Sequence, residues 1–302
     1  MSKKKKQNTT KYAGSAFAVI LAALLSYFPI SKQLNKQETV NETQKQEVVI
    51  SQDQQQDNDI SLEEAVVSVQ NLEIPAKLKD RSEKILKRSN YTISYNRNWN
   101  QPNWVAWELN KNETKGRNNR NEEFTADPDL AEAYQVESYD YSGSGYDRGH
   151  LAPAGDMAYD AQSMSESFLL SNISPQPHAF NEGVWNSLEQ RFRKIAKEHE
   201  KIYIVTGPVL EKKSYPTIGA NKVSVPEYFY KAALIQDGDN FQMEAYIIPA
   251  SAAKEDYKKF RLSVDELEKR TKMDFFYLLD DAIENELESS VKGTSKNFSF
   301  SR

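Results

Sequence analysis

The chain of 302 residues is long enough for one large domain with polar tails, and its composition is that of a globular protein diluted by polar segments. It contains no cysteine, which excludes a disulfide framework, a thiolate metal site and a cysteine nucleophile. Residues 1–37 carry seven lysines and no acidic residue, whereas residues 38–64 carry eight acidic residues and one lysine. The remaining residues 65–302 are mildly acidic, a charge balance that is not typical of a nucleic-acid-binding protein.

The first 30 residues have the pattern of a targeting or anchoring segment. A basic segment, residues 1–11, precedes an uncharged apolar stretch at residues 12–30 that approaches the roughly 20 residues needed to span a bilayer. The lysines should stay in the cytoplasm by the positive-inside rule, which sends the rest of the chain outward. We therefore predict a transmembrane anchor, with a cleaved signal peptide and secretion as the alternative.

The rest of the chain divides by composition into a linker, a globular domain and a tail. Residues 31–75 are rich in glutamine, asparagine and acidic side chains, and such a segment buries too little apolar surface to fold. We predict a disordered linker there, a folded domain at residues 76–290, and a flexible tail at residues 291–302.

Within the predicted domain, the pattern is that of an α+β protein. Five runs rich in aromatic and β-branched residues predict strands: Tyr91–Tyr95, Trp104–Leu109, Ile202–Thr206, Tyr228–Gln236 and Phe241–Ile248. An apolar stripe at helical spacing predicts a helix over Val184–Glu198. Ser263 and Glu266 have the spacing of a capping box at the start of another helix.

Residues 147–150, with the sequence Asp-Arg-Gly-His, concentrate chemically useful side chains. A histidine can act as a general base near neutral pH, and an arginine beside it can bind a phosphate group. The alternative is a surface turn with a local Asp–Arg pair.

A second segment places Asn181 at the start of the amphipathic helix. The side chain there can act as a helix N-cap, which is the simpler explanation from sequence. It can also supply one oxygen ligand to a hard cation such as Mg²⁺, which usually keeps several waters. The sequence alone does not separate these two roles.

Taken together, these segments closely resemble the DNA/RNA non-specific endonuclease family. The resemblance covers roughly residues 90–280 and rests on five blocks in order: DRGH (147–150), NISPQ (172–176), FNEGVWNSLE (180–189), VTGPVL (205–210) and VPEYFYK (225–231). It implies a ββα-metal fold with a central antiparallel sheet flanked by helices. It also implies cleavage of both DNA and RNA phosphodiester bonds with little sequence preference.

The resemblance further implies roles for individual side chains. His150 matches the general base, and Asn181 matches the direct protein ligand of the metal. Glu189 matches an acid that holds metal-bound waters. Arg148 and Asn172 match other active-site positions.

The remaining implied features concern an upstream arginine, the metal ion and the partners. Arg120 matches a phosphate-binding arginine, with Arg117 as the competing residue. Mg²⁺ is the expected ion, and Mn²⁺ suits the same oxygen ligands. DNA and RNA are the expected substrates, the membrane is a partner through the N-terminal segment, and some relatives in the family form homodimers.

Several other polar and aromatic residues have structural explanations from the sequence. We expect His178 to be a surface or structural residue and His199 to be exposed at a helix end. Arg191 and Arg193 either contact phosphate or form a solvated helix face, and the aromatic residues of the predicted strands belong to the core more often than to a base-stacking surface.

Two further functions compete with the nuclease. A surface receptor can bind nucleic acid without cutting it, and a membrane-anchored structural protein needs no site at all. Intact His150, Asn181 and Glu189 argue against both.

Overall fold

The computed structural model describes residues 70–119 and 123–291, and the backbone of residues 296–297. The predicted N-terminal anchor or signal segment lies outside these residues, as does the linker up to residue 69. Among the helices that the structure describes, none combines the length and apolar character needed to cross a membrane.

The folded domain begins before the predicted boundary at residue 76. Leu72 is only 3% exposed and packs in a hydrophobic cluster. The backbone N–H of Ala76 donates to the carbonyl of Asp274 at 2.9 Å. The last residues of the predicted linker are therefore part of the domain, because an apolar side chain there reaches the core.

Twelve strands are formed within the described ranges, most of them in one antiparallel sheet. They are β1 (Lys84–Lys87), β2 (Thr92–Asn96), β3 (Gln101–Asn110), β4 (Asp147–His150), β5 (Ile173–Gln176), β6 (Lys201–Pro208), β7 (Thr217–Ile218), β8 (Val223–Ser224), β9 (Tyr228–Asp237), β10 (Asn240–Pro249), β11 (Arg261–Leu262) and β12 (Lys296–Asn297). The main sheet has the order β1-β2-β3-β6-β9-β10-β11, and β12, which lies in the predicted tail, pairs with β10. All five predicted strands are confirmed with small shifts in their ends.

Six α-helices accompany the sheet within the same ranges: α1 (Ala154–Met157), α2 (Ala161–Glu166), α3 (His178–Phe180), α4 (Asn186–Glu198), α5 (Val264–Thr271) and α6 (Asp281–Glu288). A single π-helical turn, Asn181–Trp185, joins α3 to α4. Helix α5 begins with the predicted capping box, in which Glu266 N donates to Ser263 Oγ and Ser263 N donates to the Glu266 carboxylate. This reciprocal pair satisfies two backbone donors that a helix start leaves open.

The sheet is covered by helices on both faces, which explains why its central strands are apolar on successive residues. On one face, Val105 and Trp107 of β3 pack in the cluster that contains Leu188 and Phe192 of α4. On the other face, Trp104 and Ala106 of the same strand pack in the cluster of α5 and α6. Successive side chains of a strand point to opposite faces, so both sets are buried. The predicted α+β class with a central antiparallel sheet flanked by helices is confirmed.

Candidate active site

A two-stranded ribbon followed by a helix carries the sequence-predicted site. Strand β4 pairs antiparallel with β5, with Asp147 opposite Gln176 and His150 opposite Ile173. Gly149 lies in close contact with the Gln176 side chain, where a Cβ atom would collide. The chain then turns directly into α3, the π-helical turn and α4.

The Asp147 carboxylate fixes the orientation of the Asn181 side chain. Asn181 Nδ2 donates to Asp147 Oδ2 at 3.0 Å, and His178 Nδ1 lies 2.9 Å from the same oxygen. This contact raises the pKa of the His178 imidazole above its usual value. Because the amide nitrogen of Asn181 is engaged, its Oδ1 atom is the one left for a cation.

Asn181 is therefore not the N-cap that its position in the sequence suggests. Its backbone is helical, with φ −56° and ψ −52°, and helix α3 already begins at His178. The following π-helical turn contains Gly183 at φ −95° and ψ −109°, where the helix is locally distorted. The backbone of Ala253 approaches Gly183 so closely that no other residue fits, and Val184 N donates to the Ala253 carbonyl at 3.0 Å.

Aromatic rings hold the imidazole of His150 in place. Its ring centroid lies 5.4 Å from that of Phe124 and 4.9 Å from that of Phe168, the latter with an edge-on geometry. Phe168 is fully buried, whereas Phe124 and His150 are half-buried. Packing of this kind restricts the ring to one orientation, which is a requirement for a general base.

The guanidinium of Arg148 lies between two aromatic rings. Its Cζ atom is 5.5 Å from the centroid of Phe124 and 5.7 Å from that of Tyr141, within the range of cation–π attraction. Nη2 donates to the Ser138 carbonyl at 2.9 Å. Phe124 thus contacts both Arg148 and His150, so its ring packs between these two side chains.

Asn172, which the family resemblance matches to an active-site position, lies inside the protein beside the end of β4. It is fully buried, its Oδ1 accepts from Ala152 N at 2.9 Å, and its Nδ2 donates to the carbonyls of Ala152 and Ser167. Both the nitrogen and the oxygen of this amide therefore form hydrogen bonds with backbone atoms of residues that follow β4. Asn172 thus positions the end of the His150 strand from inside the protein.

Glu189 lies on α4, one helical turn before Arg193, in a group of charges between the helix and the sheet. Arg193 Nη1 donates to Asp156 Oδ1 at 2.7 Å, and the Asp156 side chain is only 2% exposed. From the sequence, Arg193 was expected either to contact phosphate or to lie on a solvated face of the helix. The structure instead places it in a mostly buried ion pair.

The most deeply buried charge of this group is Lys231 of β9, which is 1% exposed. Its Nζ atom lies 4.6 Å from the ring centroid of Trp185 and 5.3 Å from that of Trp107. Burial lowers the pKa of Lys231, and the negative charges of Glu189 and Asp156 oppose that shift. Lys231 thus supplies a positive charge beneath α4, on the same side of the sheet as Glu189.

The other predicted or competing residues are spread over the surface or lie outside the described residues. Arg120 is outside the described residues, and its competitor Arg117 is exposed. Arg191 pairs with Glu244 at 2.9 Å. His178 is an exposed residue, as expected, whereas His199 is only partly exposed and lies 3.7 Å from Asp237.

The roles of Asp147, Asp156 and Lys231 were not predicted from the sequence. For Asp147 the sequence does contain a signal: His178 and Asn181 are three residues apart, so both side chains lie on one helix face and can contact the same acceptor. No local pattern indicates Asp156 and Lys231, since their partners come from distant segments. As predicted from the sequence, most of the aromatic residues of the strands belong to the core. Trp104, Trp107 and Phe229 are almost fully buried, whereas Tyr228 is partly exposed.

The donors around Asn181 fit a hard divalent metal ion. The Asn181 amide oxygen is oriented by Asp147, and Glu189 brings a carboxylate to the same helix. All these ligand atoms are oxygens, which Mg²⁺ and Mn²⁺ accept together with water. Residues Asn181 and Glu189 are eight positions apart, a rise of about 12 Å along an ideal helix, so only one of them can bind the ion directly.

Comparisons with known proteins relate the chain to nucleases. Residues 68–282 match the family model described as DNA/RNA non-specific endonuclease. The chain is 32% identical over 206 residues to the mitochondrial nuclease EXOG of Xenopus laevis, covering 63% of this chain and 58% of that protein. It is 35% identical over 214 residues to nuclease C1 of Cunninghamella echinulata var. echinulata, covering 65% of this chain and 83% of that protein.

The fold is also similar to a solved structure. A crystal structure of the EndoG/EndoGI complex contains a chain with a TM-score of 0.62 and 29% sequence identity, over 66% of this chain and 87% of that one. The family model spans more than half of the residues, and the ββα arrangement lies inside the matched range. The chain therefore belongs to the DNA/RNA non-specific endonuclease family.

Proposed function

We propose that this protein is a metal-dependent endonuclease that hydrolyses phosphodiester bonds of DNA and RNA with little sequence preference. The observation that carries the proposal is the ββα arrangement, in which β4 presents His150 and, through Asp147, orients Asn181. Family membership and relatives named as nucleases support the same activity.

In this proposal His150 removes the proton from a water molecule that attacks phosphorus. A neutral imidazole near pH 7 is suited to this step, and the contacts with Phe124 and Phe168 hold its ring in one orientation. Arg148 would bind a non-bridging phosphate oxygen with the N–H groups that Ser138 does not occupy. Contacts to phosphate rather than to base edges carry no sequence information, which accounts for low sequence preference.

Asn181 would hold the metal ion through its Oδ1 atom, and Glu189 would hold waters around it. When bound, Mg²⁺ or Mn²⁺ supplies Lewis-acid stabilisation of the charge that develops on the phosphate and on the leaving 3′ oxygen. Asp147 keeps the Asn181 oxygen turned toward the ion, and Lys231 balances the negative charge of Glu189 from beneath the helix.

Cleavage assays with the full chain test the proposal directly. Supercoiled plasmid and a structureless RNA are incubated with the protein in Mg²⁺, in Mn²⁺ and in EDTA. We expect both substrates to be cut internally with either metal and to remain intact in EDTA. Binding without cleavage in every metal would support the alternative, a surface receptor for nucleic acid.

The contact between Asp147 and Asn181 makes a separate prediction. The variant Asp147→Asn replaces the charged acceptor by a neutral amide, so the hydrogen bond that orients Asn181 is weaker and the metal is held less firmly. Loss of an outer partner of this kind typically lowers metal affinity by about 10- to 100-fold. We expect the Mg²⁺ concentration for half-maximal cleavage to rise by that factor, while saturating Mg²⁺ restores much of the rate.

The control for this variant is Asp237→Asn, because Asp237 is an exposed aspartate at the end of β9. It changes the net charge by the same amount away from the site, and we expect its Mg²⁺ requirement to equal that of the wild type. An unchanged Mg²⁺ requirement in Asp147→Asn would show that Asp147 does not position the metal ligand.

The cellular setting remains a prediction from the sequence. We propose that the N-terminal segment anchors the enzyme in the cell membrane with the nuclease domain on the extracytoplasmic side, or directs its secretion. Homodimerisation is likewise a prediction.

A further inference from the structure

A second group of acidic side chains lies far from Asn181 in the sequence, where α5 meets α6. Asp265 and Glu268 are three residues apart on α5, and Glu288 lies near the end of α6. One carboxylate oxygen from each of these three residues lies within 4.8 Å of the other two. Glu284, four residues before Glu288, adds a fourth carboxyl on the same helix.

The burial of Glu288 distinguishes this group from an ordinary acidic surface, although Asp265 is exposed. Glu288 is only 7% exposed, and its Oε1 atom is buried without a hydrogen-bond partner. The Oε1 atom of Glu284 is also buried and without a partner. A buried carboxylate oxygen without a hydrogen-bond partner costs free energy, and either a bound cation or a proton offsets that cost.

The described part of the chain supplies no such partner. Among the described residues, no lysine or arginine forms an ion pair with these four carboxyl groups. Within the described ranges, the two α5 carboxylates of this group accept one hydrogen bond, from Phe275 N to Glu268 Oε1, which leaves the second Glu268 oxygen for another ligand. Burial, with a smaller contribution from the neighbouring negative charges, raises the pKa of Glu268 to about 7 and that of Glu288 to about 9.

We propose that Asp265, Glu268 and Glu288 form a Ca²⁺ site that ties α6 to α5. Ca²⁺ takes six to eight oxygen ligands in a flexible geometry, which suits several carboxylates from two helices. Mg²⁺ demands a near-ideal octahedron and is usually bound by one or two carboxylates with waters, so it suits this group less well. The ion neutralises the carboxylates and stabilises the last helix of the domain.

Thermal unfolding of the full chain tests the site without reference to catalysis. The experiment uses an Asn181→Ala background, which removes the proposed metal ligand of the nuclease site. At a Ca²⁺ concentration about 100-fold above its dissociation constant we expect the Tm to rise by about 5–10 °C. Isothermal titration of the same protein should detect one Ca²⁺ ion per chain.

The variant Glu288→Gln, added to this background, should abolish the Ca²⁺-induced rise in Tm. It keeps the shape of the side chain but cannot ionise to bind a cation, so the metal-free protein should unfold at the same or a higher temperature. Glu286→Gln is the matched control, because two residues on α6 correspond to about 200° of rotation and place it away from the group. We expect it to keep the full Ca²⁺ response.

Two results would overturn the site. The first is the absence of any Tm shift with Ca²⁺ up to millimolar concentrations in the Asn181→Ala protein, which would mean that protons neutralise these carboxyls. The second is an equal shift in the Glu288→Gln protein, which would place the ion elsewhere. Neither result depends on nuclease activity, so the proposed function can fail or hold independently.

Discussion

The variant His150→Ala is expected to cut DNA and RNA about 10²- to 10⁴-fold more slowly than the wild type, the range that a positioned general base contributes. His150 ends the β4 strand, and the Phe124 and Phe168 rings hold its imidazole in one orientation. Alanine removes the proton acceptor but leaves Arg148, Asp147 and Asn181 in place. The loss should therefore appear in kcat, with a smaller change in KM.

The measurement is the initial rate of plasmid and RNA cleavage at saturating Mg²⁺, together with urea unfolding of each protein. His199→Ala serves as the matched control, since His199 caps the end of α4 and lies against Asp237. We expect the control to retain the wild-type rate and His150→Ala to unfold with a loss of about 1 kcal/mol from ring contacts. A cleavage rate within about threefold of the wild type would rule out His150 as the base.

The variant Asp156→Asn is expected to lower the free energy of unfolding by about 3–5 kcal/mol. Asp156 is buried, and it pairs with Arg193 at 2.7 Å. Its negative charge also opposes the unfavourable burial of Lys231. Removing one partner of a buried pair leaves the other charge without compensation, which costs more than the pair itself contributes.

This loss is measured by urea denaturation, with the same m-value for the wild type and the variant. Glu198→Gln provides the comparison, because Glu198 and Lys194 form an exposed pair at 3.7 Å whose removal costs less than about 1 kcal/mol. Adding Arg193→Met to Asp156→Asn should recover part of the stability, since both charges are then absent. If Asp156→Asn is no more destabilising than Glu198→Gln, the pair is not the buried contact described above.

Local patterns in the sequence were enough to predict several strands and helices. The five strands are rich in β-branched and aromatic residues, and the apolar stripe of α4 and the capping box of Ser263 follow helical spacing. Each of these signals involves residues within a few positions of one another, where backbone geometry fixes which side chains share a face. The blocks around His150 and Asn181 added the family and the expected fold.

The tertiary structure decided which atoms meet inside the site. The Asp147–Asn181 contact spans 34 residues and the Asp156–Arg193 contact spans 37. The buried Asn172 amide likewise bonds to Ala152, 20 residues away, and thereby positions the end of β4.

Lys231 shows the physical reason for this division. In the sequence it is one residue within the predicted strand Tyr228–Gln236, and nothing nearby indicates its partners. The π-helical turn and α4 bring Trp185 and Glu189 over it, beside Trp107 of β3, two strands away in the sheet. The periodicity of apolar residues along the sequence indicates which side chains are buried. The partner of a buried charge comes from chain segments that meet only in the folded domain, so the sequence pattern does not identify it.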